Sequence, residues 1–410
     1  MVDEDDEASL KALTRRFSYV RPETRKAYFD SDDFLSSCSV NGQLLSIPEE
    51  DWRIFLLDGK TPTLDLELHT SDVHTSPQFV ELVAAMLSFW VYTGDKTPPK
   101  MANASFRVHD ILQPADLGKP MKIGIVTADL PVGKVLFLVF RVTSGMLDFG
   151  SWNLDCDCIS AEDEEFVVHR TASRAMLDII GWKWRFLRRY LVAAREQGVQ
   201  RVAFAGHSVG GMHAQLCLLW VFKQIQQGNA LLSPFDIQCI TFGAPMVFGG
   251  SSKKASQFKD FARERAVNYI HADDPCPRAW GALNLRDFVE KATTAVKGEL
   301  TDPHGSITGF LAPAVVEEMA TKLFRRPDFD LMEEFAKKYE HFVPLRVLST
   351  KKQYVSWKDF QLTPECFEEH SVVAYVNKLF DAFDPSRPEC HVHVQSVEPV
   401  FQRWCALLGA

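Results

Sequence analysis

The chain has 410 residues, 46% of them hydrophobic and 24% charged, a profile that excludes an intrinsically disordered protein. Its net charge of −9 disfavours a general binder of nucleic acid or of anionic membranes, because both require a positive field. No apolar run reaches the roughly 18 residues of a spanning helix, and the acidic start, Met1 to Glu7, is unlike a secretory or organelle-targeting peptide.

In chain order, residues 1–75 mix short apolar runs, Leu44 to Ile47 and Trp52 to Leu57, with Gly and Pro punctuation. They read as an N-terminal extension of strands and turns. Phe79 to Tyr92 reads as an apolar helix, and Lys122 to Val126 and Val135 to Phe140 as buried strands bounded by turn residues. Arg174 to Gln197 reads as a long helix stopped by Gly198. Its Lys183, Arg185, Arg188 and Arg189 fall at helical spacing and read as a solvated face rather than an anion site. A strand over Val199 to Ala205 and a helix over Gly211 to Gln226 follow. Ile237 to Phe242, Val267 to His271 and Leu345 to Leu348 complete the strands of the main domain. Strands alternating with helices predict an α/β domain, residues 76–410, built on a mostly parallel sheet covered on both faces. The stretch at about 280–340 is too long for a plain loop and reads as a helical insertion. His391 to Val397 reads as one more short strand.

The chemistry concentrates at Gly206-His207-Ser208-Val209-Gly210-Gly211, a G-x-S-x-G between a predicted strand and a predicted helix. A serine on so sharp a turn needs small neighbours, which Gly206 and Gly210 supply. The helix that follows presents its N-terminus, where the dipole and free N–H groups favour developing negative charge. A nucleophilic serine needs a base, and the base needs an orienting carboxylate. Asp274 follows the strand that ends at His271, with Asp273 as its neighbour and rival; Pro275 biases Asp274 towards extended backbone. The histidines after Asp274 are His304, His341, His370, His391 and His393, and spacing alone does not choose among them.

Taken together, several segments resemble the class 3 (fungal-type) lipases of the α/β-hydrolase superfamily. Val139-Phe140-Arg141-Val142-Thr143 is similar to their strand ending F-R-G-[ST], Asp148 to Asp155 to D-W-x-x-D, and Val168-His169 to the start of V-H-x-G-F. Gly206 to Gly211 is similar to G-H-S-L-G-G, and Thr241 to Pro245 to T-F-G-x-P. Val267-Asn268 with Asp274 to Pro277 is similar to V-N-x-x-D-x-V-P, and Glu369-His370 with Tyr375 to D-H-x-x-Y. The resemblance implies an α/β-hydrolase fold and a Ser208, Asp274, His370 triad. It also implies an oxyanion hole from the backbone N–H groups of Thr143 and Val209, with neither cofactor nor metal. It departs from the pattern at Val142, at Arg170 to Ser173 and in the insertion.

The activity implied is hydrolysis of carboxylic esters of acylglycerols or membrane glycerolipids. A short-chain or aryl esterase and a non-catalytic lipase-like scaffold are the alternatives. Residues 144–166 stand where the family carries a lid. They set Met146, Leu147, Phe149 and Trp152 beside Asp155, Asp157 and Glu162 to Glu165, a composition suited to transient contact with a lipid surface. The nine cysteines follow no repeated spacing and read as free thiols of a cytoplasmic protein. Cys156 with Cys158, and Cys390 with His391 and His393, fall short of a metal-ligand set.

Overall fold

The computed structural model describes residues 43–47, 66–68, 78–93, 96–98, 104–112, 121–142, 167–168, 176, 183–271, 274–278, 290–291, 339–348, 366 and 369–383. Thr143, Asp273, His304, the lid segment 144–166, nearly all of the insertion, the Cys156 and Cys158 pair, the Cys390, His391 and His393 group and the predicted strand at 391–397 lie outside these residues.

The main sheet runs in the order β2-β1-β12-β10-β8-β7-β5-β4-β3. Its central strands are β5 (Gly133–Val142), β7 (Arg201–His207), β8 (Asp236–Phe242), β10 (Ala266–His271) and β12 (Leu345–Leu348), all parallel. At one side β4 (Met121–Leu130) and β3 (Ser105–Leu112) add antiparallel. At the other, β1 (Gln43–Ile47) and β2 (Leu66–Leu68) do the same. Two strands from the N-terminal 75 residues therefore complete the main sheet. This is the α/β-hydrolase architecture anticipated from the sequence. A small second sheet joins β6 (Val167–Val168), β9 (Phe248–Gly249) and β11 (Tyr339–Glu340).

Alternation along β5 shows why both faces must be covered. Val135, Phe137 and Val139 enter one core and Leu136, Leu138 and Phe140 the other. β7 repeats the pattern with Ala203 and Ala205 on the first face and Val202 and Phe204 on the second. The first face is covered by α1 (Gln78–Thr93) and α5 (Val372–Phe383), the second by α2 (Lys183–Glu196), α3 (Val209–Gln226) and α4 (Lys253–Arg265). Helix α1 is buried on nearly all sides, from Phe79 to Val91, so it acts as a core element rather than an amphipathic cover. Its single charge, Glu81, pairs with Arg346 of β12 at 2.9 Å and accepts from the Tyr269 hydroxyl of β10. Gly198 ends α2 with φ 76, as its position in the sequence predicts.

The three short strands of the second sheet were not anticipated, nor were two longer elements. Strand β3 is a half-exposed edge with a bulge between Val108 and Asp110, so its apolar alternation is broken. Helix α4 is mostly polar and buries only Ala255, Phe258 and Ala262, an i, i+3, i+7 stripe. Its Ser252 cap accepts from the Ala255 N–H at 3.0 Å.

Candidate active site

Ser208 directly follows β7 and immediately precedes α3. It has φ 58, the one positive φ among the described non-glycine residues. Such backbone is costly for a residue with a Cβ and persists only where the surroundings enforce it. Here the enforcement is close packing at glycines. A Cβ on Gly206 would lie 2.5 Å from the carbonyl carbon of Gly210, and one on Gly210 would lie 2.2 Å from the Phe140 carbonyl oxygen. The first turn of α3 therefore presses onto the end of β5, the strand that leads to Thr143. The Ser208 N–H donates to the Phe242 carbonyl at 2.9 Å, and the Ser208 carbonyl accepts from Gly211 N–H at 2.8 Å. Val209 is the first residue of α3, where N–H groups have no intrahelical partner.

Asp274 and His370 reach this turn from two loops. Asp274 follows β10, and His370 precedes α5, whose Ser371 hydroxyl accepts from Ala374 N–H at 3.1 Å. The Ser208 hydroxyl donates to His370 Nε2 at 2.9 Å, and His370 Nδ1 donates to Asp274 Oδ2 at 2.8 Å. Asp274 Oδ2 also accepts from the Tyr375 hydroxyl at 2.5 Å, and Oδ1 from the Cys276 N–H at 2.7 Å. All three side chains are buried, Ser208 at 4% exposure and the other two at 1%. Burial pushes the Asp274 carboxyl upward, but the His370 charge and the hydrogen bonds outweigh it and hold its pKa below the ordinary 3.8. Burial pushes His370 downward, and Asp274 outweighs that too, so the imidazole lies well above its ordinary 6.5.

Much of what orients this group lies in the quoted motifs, but its work is visible only in the fold. Gly243, in the T-F-G-x-P segment, has φ 58, and a Cβ there would lie 2.7 Å from Asp274 Oδ2 and 2.9 Å from the Tyr375 hydroxyl. Only glycine leaves the carboxylate room. Asn268 holds that segment in place by gripping Ala244 through both backbone groups, at 2.9 and 3.1 Å. Tyr375 also accepts from the His271 N–H at 2.9 Å, which ties α5 to the end of β10. Arg278 is buried beside the carboxylate loop and donates to the Asp274 carbonyl at 3.3 Å. Burial lowers its pKa to about 10, opposed by the Asp274 charge. Glu369 stands 3.1 Å from His271 Nδ1, without the alignment of a directed hydrogen bond.

Behind the imidazole of His370, His207 Nε2 donates to the His370 carbonyl at 2.6 Å. Because a carbonyl only accepts, the proton sits on Nε2 and Nδ1 is left to accept from the Tyr92 hydroxyl at 3.2 Å. Burial and the neighbouring His370 charge lower His207 to about 3, so it stays neutral. Tyr92 closes α1, and Arg141 lies 4.5 Å over its ring while donating to the Val91 carbonyl at 3.1 Å. Arg141 thereby joins the end of β5 to the C-terminus of α1, where a cation is favoured. Lys122 donates to the same Val91 carbonyl at 3.3 Å.

The structure brings together Ser208, Asp274, His370 and Val209 from the sequence-derived set. Of the remaining histidines it describes His341, whose Nε2 donates to the Pro277 carbonyl at 2.9 Å, under the carboxylate loop. Among the described residues no group of three or more His, Cys, Asp or Glu side chains is arranged to hold a metal ion. No described helix is long and apolar enough to cross a membrane.

Comparison with known proteins gives three findings. Residues 137–283 match the family model "Lipase (class 3)", so the resemblance to class 3 lipases holds over the segment from within β5 to beyond Arg278. That segment contains Ser208 and Asp274, while His370 joins it through the fold. Protein EDS1B of Arabidopsis thaliana is 30% identical over 126 residues, 31% of this chain and 19% of that protein, so the chain spans about a fifth of that relative's length. Among solved structures, the lipase of Rhizopus microsporus var. chinensis matches with TM-score 0.31 and 20% identity over 42% of this chain and 55% of its own. Lip2 lipase of Yarrowia lipolytica matches with TM-score 0.34 and 17% identity over 50% of this chain and 75% of its own.

Proposed function

We propose that this chain is a carboxylic ester hydrolase that cleaves acyl chains from acylglycerols or membrane glycerolipids through an acyl-enzyme on Ser208. The observation that carries the reading is the relay of hydrogen bonds from Ser208 through His370 to Asp274, at 2.9 and 2.8 Å, on a serine held at φ 58. His370 takes the Ser208 proton as Oγ attacks the ester carbonyl, and gives it to the departing alkoxide. Asp274 keeps the imidazole in the required tautomer and stabilises its charge. The Val209 N–H faces the oxyanion, with the Thr143 N–H as second donor by family likeness; one such donor is typically worth about 10²- to 10³-fold in rate. Water then attacks the acyl-enzyme, with His370 serving first as base and then as acid.

The family match and the apolar residues of segment 144–166, which would meet a lipid surface as a lid, support a preference for lipid acyl chains. Hydrolysis of p-nitrophenyl esters from C2 to C16, with wild type beside Ser208→Ala, tests it. Serine-dependent turnover that rises towards long chains is expected. Serine-dependent turnover confined to short chains would replace the lipid substrate with a small ester. No turnover by either folded protein, with detergent present, would overturn hydrolysis in favour of partner binding.

A further inference from the structure

Ser208 is not the only nucleophile within reach of His370. Cys276 follows Asp274 by two residues, and its sulfur lies 3.9 Å from Ser208 Oγ. Ser208 Oγ in turn donates to His370 Nε2 at 2.9 Å. A thiol therefore adjoins the alcohol that this imidazole would serve. The D-x-V-P pattern has valine at this position, and the orientation of Asp274 needs only the backbone N–H of residue 276, which any residue but proline would supply. The sulfur is a free thiol. At 2% exposure Cys276 is as enclosed as Ser208 at 4%. Any path that brings an ester carbonyl carbon to Ser208 brings an electrophilic carbon of similar size to Cys276.

We propose that Cys276 is a modification site for α,β-unsaturated carbonyl compounds, activated by the base that serves Ser208, and that its alkylation closes the hydrolytic site. The proposal rests on the reading of Ser208 and His370 as nucleophile and base, and adds a control to that site. His370 accepts the thiol proton while sulfur bonds to the β-carbon of the electrophile. The carbon–carbon π pair shifts towards the carbonyl, and the α-carbon takes the proton back from the imidazolium. The reaction is an addition; nothing leaves and no oxidant is consumed. A thiol is intrinsically a stronger nucleophile than an alcohol at neutral pH, so it meets such a carbon first. The adduct then occupies the space beside Oγ that a substrate acyl group needs. Cys217 and Cys239 serve as contrasts, because each is buried in the core and burial pushes its thiol up, Cys217 well above its ordinary value.

The test is a time course of N-ethylmaleimide modification of the full chain, followed peptide by peptide by mass spectrometry. Wild type, Ser208→Ala and His370→Gln are compared. Cys276 is expected to be occupied at least about tenfold faster than Cys217 and Cys239, to be occupied in Ser208→Ala, and to slow at least about tenfold in His370→Gln. Loss of p-nitrophenyl butyrate turnover should track Cys276 occupancy. Cys276→Val keeps the backbone N–H and should retain after treatment the turnover it had before. Labelling of Cys276 no faster than Cys217 and Cys239, labelling indifferent to His370, or equal inactivation of Cys276→Val would overturn the proposal. His370-dependent labelling in a protein that turns over no ester would support the modification site and overturn the hydrolase reading alone.

Discussion

The turn that carries Ser208 and the two loops that carry Asp274 and His370 meet around the His370 imidazole, yet they are built from different materials. The serine turn is held by backbone packed against backbone, Gly206 on Gly210 and Gly210 on Phe140, with no charged side chain needed to hold it. Asp274 and His370 are held by hydrogen bonds from the side chains of Tyr375, Arg278 and His207, contributed by a helix, a loop and a strand, while Asn268 of a second strand braces the Gly243–Ala244 segment beside them. Sterically locked geometry either fits or fails. Hydrogen-bonded geometry yields in steps and responds to pH. The contrast teaches that damage at the nucleophile should be all-or-none and damage at its partners graded.

The largest effect that would sharpen the contrast is expected of Asp274→Asn. An amide there favours the wrong imidazole tautomer, and steady-state kinetics should show kcat lower by on the order of 10⁴-fold. The same charge raises His370, so wild-type kcat/KM should climb with pH along a limb whose midpoint lies above 6.5, where the base becomes neutral. A wild-type limb centred below 6.5 would break the account of the acid–base pair.

Gly243→Ala comes next. Its Cβ would press on both Asp274 and Tyr375, so turnover should fall by about 10²-fold through misplacement of the carboxylate. Urea unfolding should show a loss of roughly 1–3 kcal/mol from the overpacking. Tyr375→Phe should be milder, with kcat down about tenfold, KM little changed and stability lower by about 1 kcal/mol, because one hydrogen bond to Asp274 and one from His271 are lost. If Tyr375→Phe were as damaging as Asp274→Asn, the graded half of the comparison would be wrong.

The effect smallest on turnover concerns stability against pH. His207 has a folded pKa of about 3 against an ordinary 6.5, so below 6.5 the unfolded chain takes a proton that the folded one refuses. Stability therefore falls as pH drops from 6.5 towards 3, and His341, lowered to about 4 by burial, adds in the same direction. His370 acts with the opposite sign: its contribution is complete below 6.5 and is lost as pH rises through its raised value. His207→Gln should flatten the decline between pH 6.5 and pH 4, read from urea midpoints at the two values.

The same division governs what the amino-acid sequence could reveal. Ser208 was legible because its requirements are local: two glycines in five residues, an apolar strand before and an apolar helix after. Strands β5 and β7 were legible because both of their faces are buried, which leaves a nearly continuous apolar run. Asp274 and His370 are 96 residues apart, and only family likeness chose them over Asp273 and the other histidines. Tyr375, Asn268 and Gly243 were present in the quoted motifs, but their work depends on contacts across the fold that no spacing encodes. Helix α4 was missed because three buried side chains in thirteen residues make a weak stripe. Strand β3 was missed because its bulge breaks the alternation.

The central claim is that Ser208 is a nucleophile activated by His370. Its most direct test is labelling of the folded protein with a fluorophosphonate, with the adduct located by peptide mass spectrometry. The account predicts one adduct on Ser208, absent from Ser208→Ala and formed at least about 10²-fold more slowly in His370→Ala. Folded wild-type protein that takes no label at Ser208, or takes it at the same rate without His370, would contradict the account.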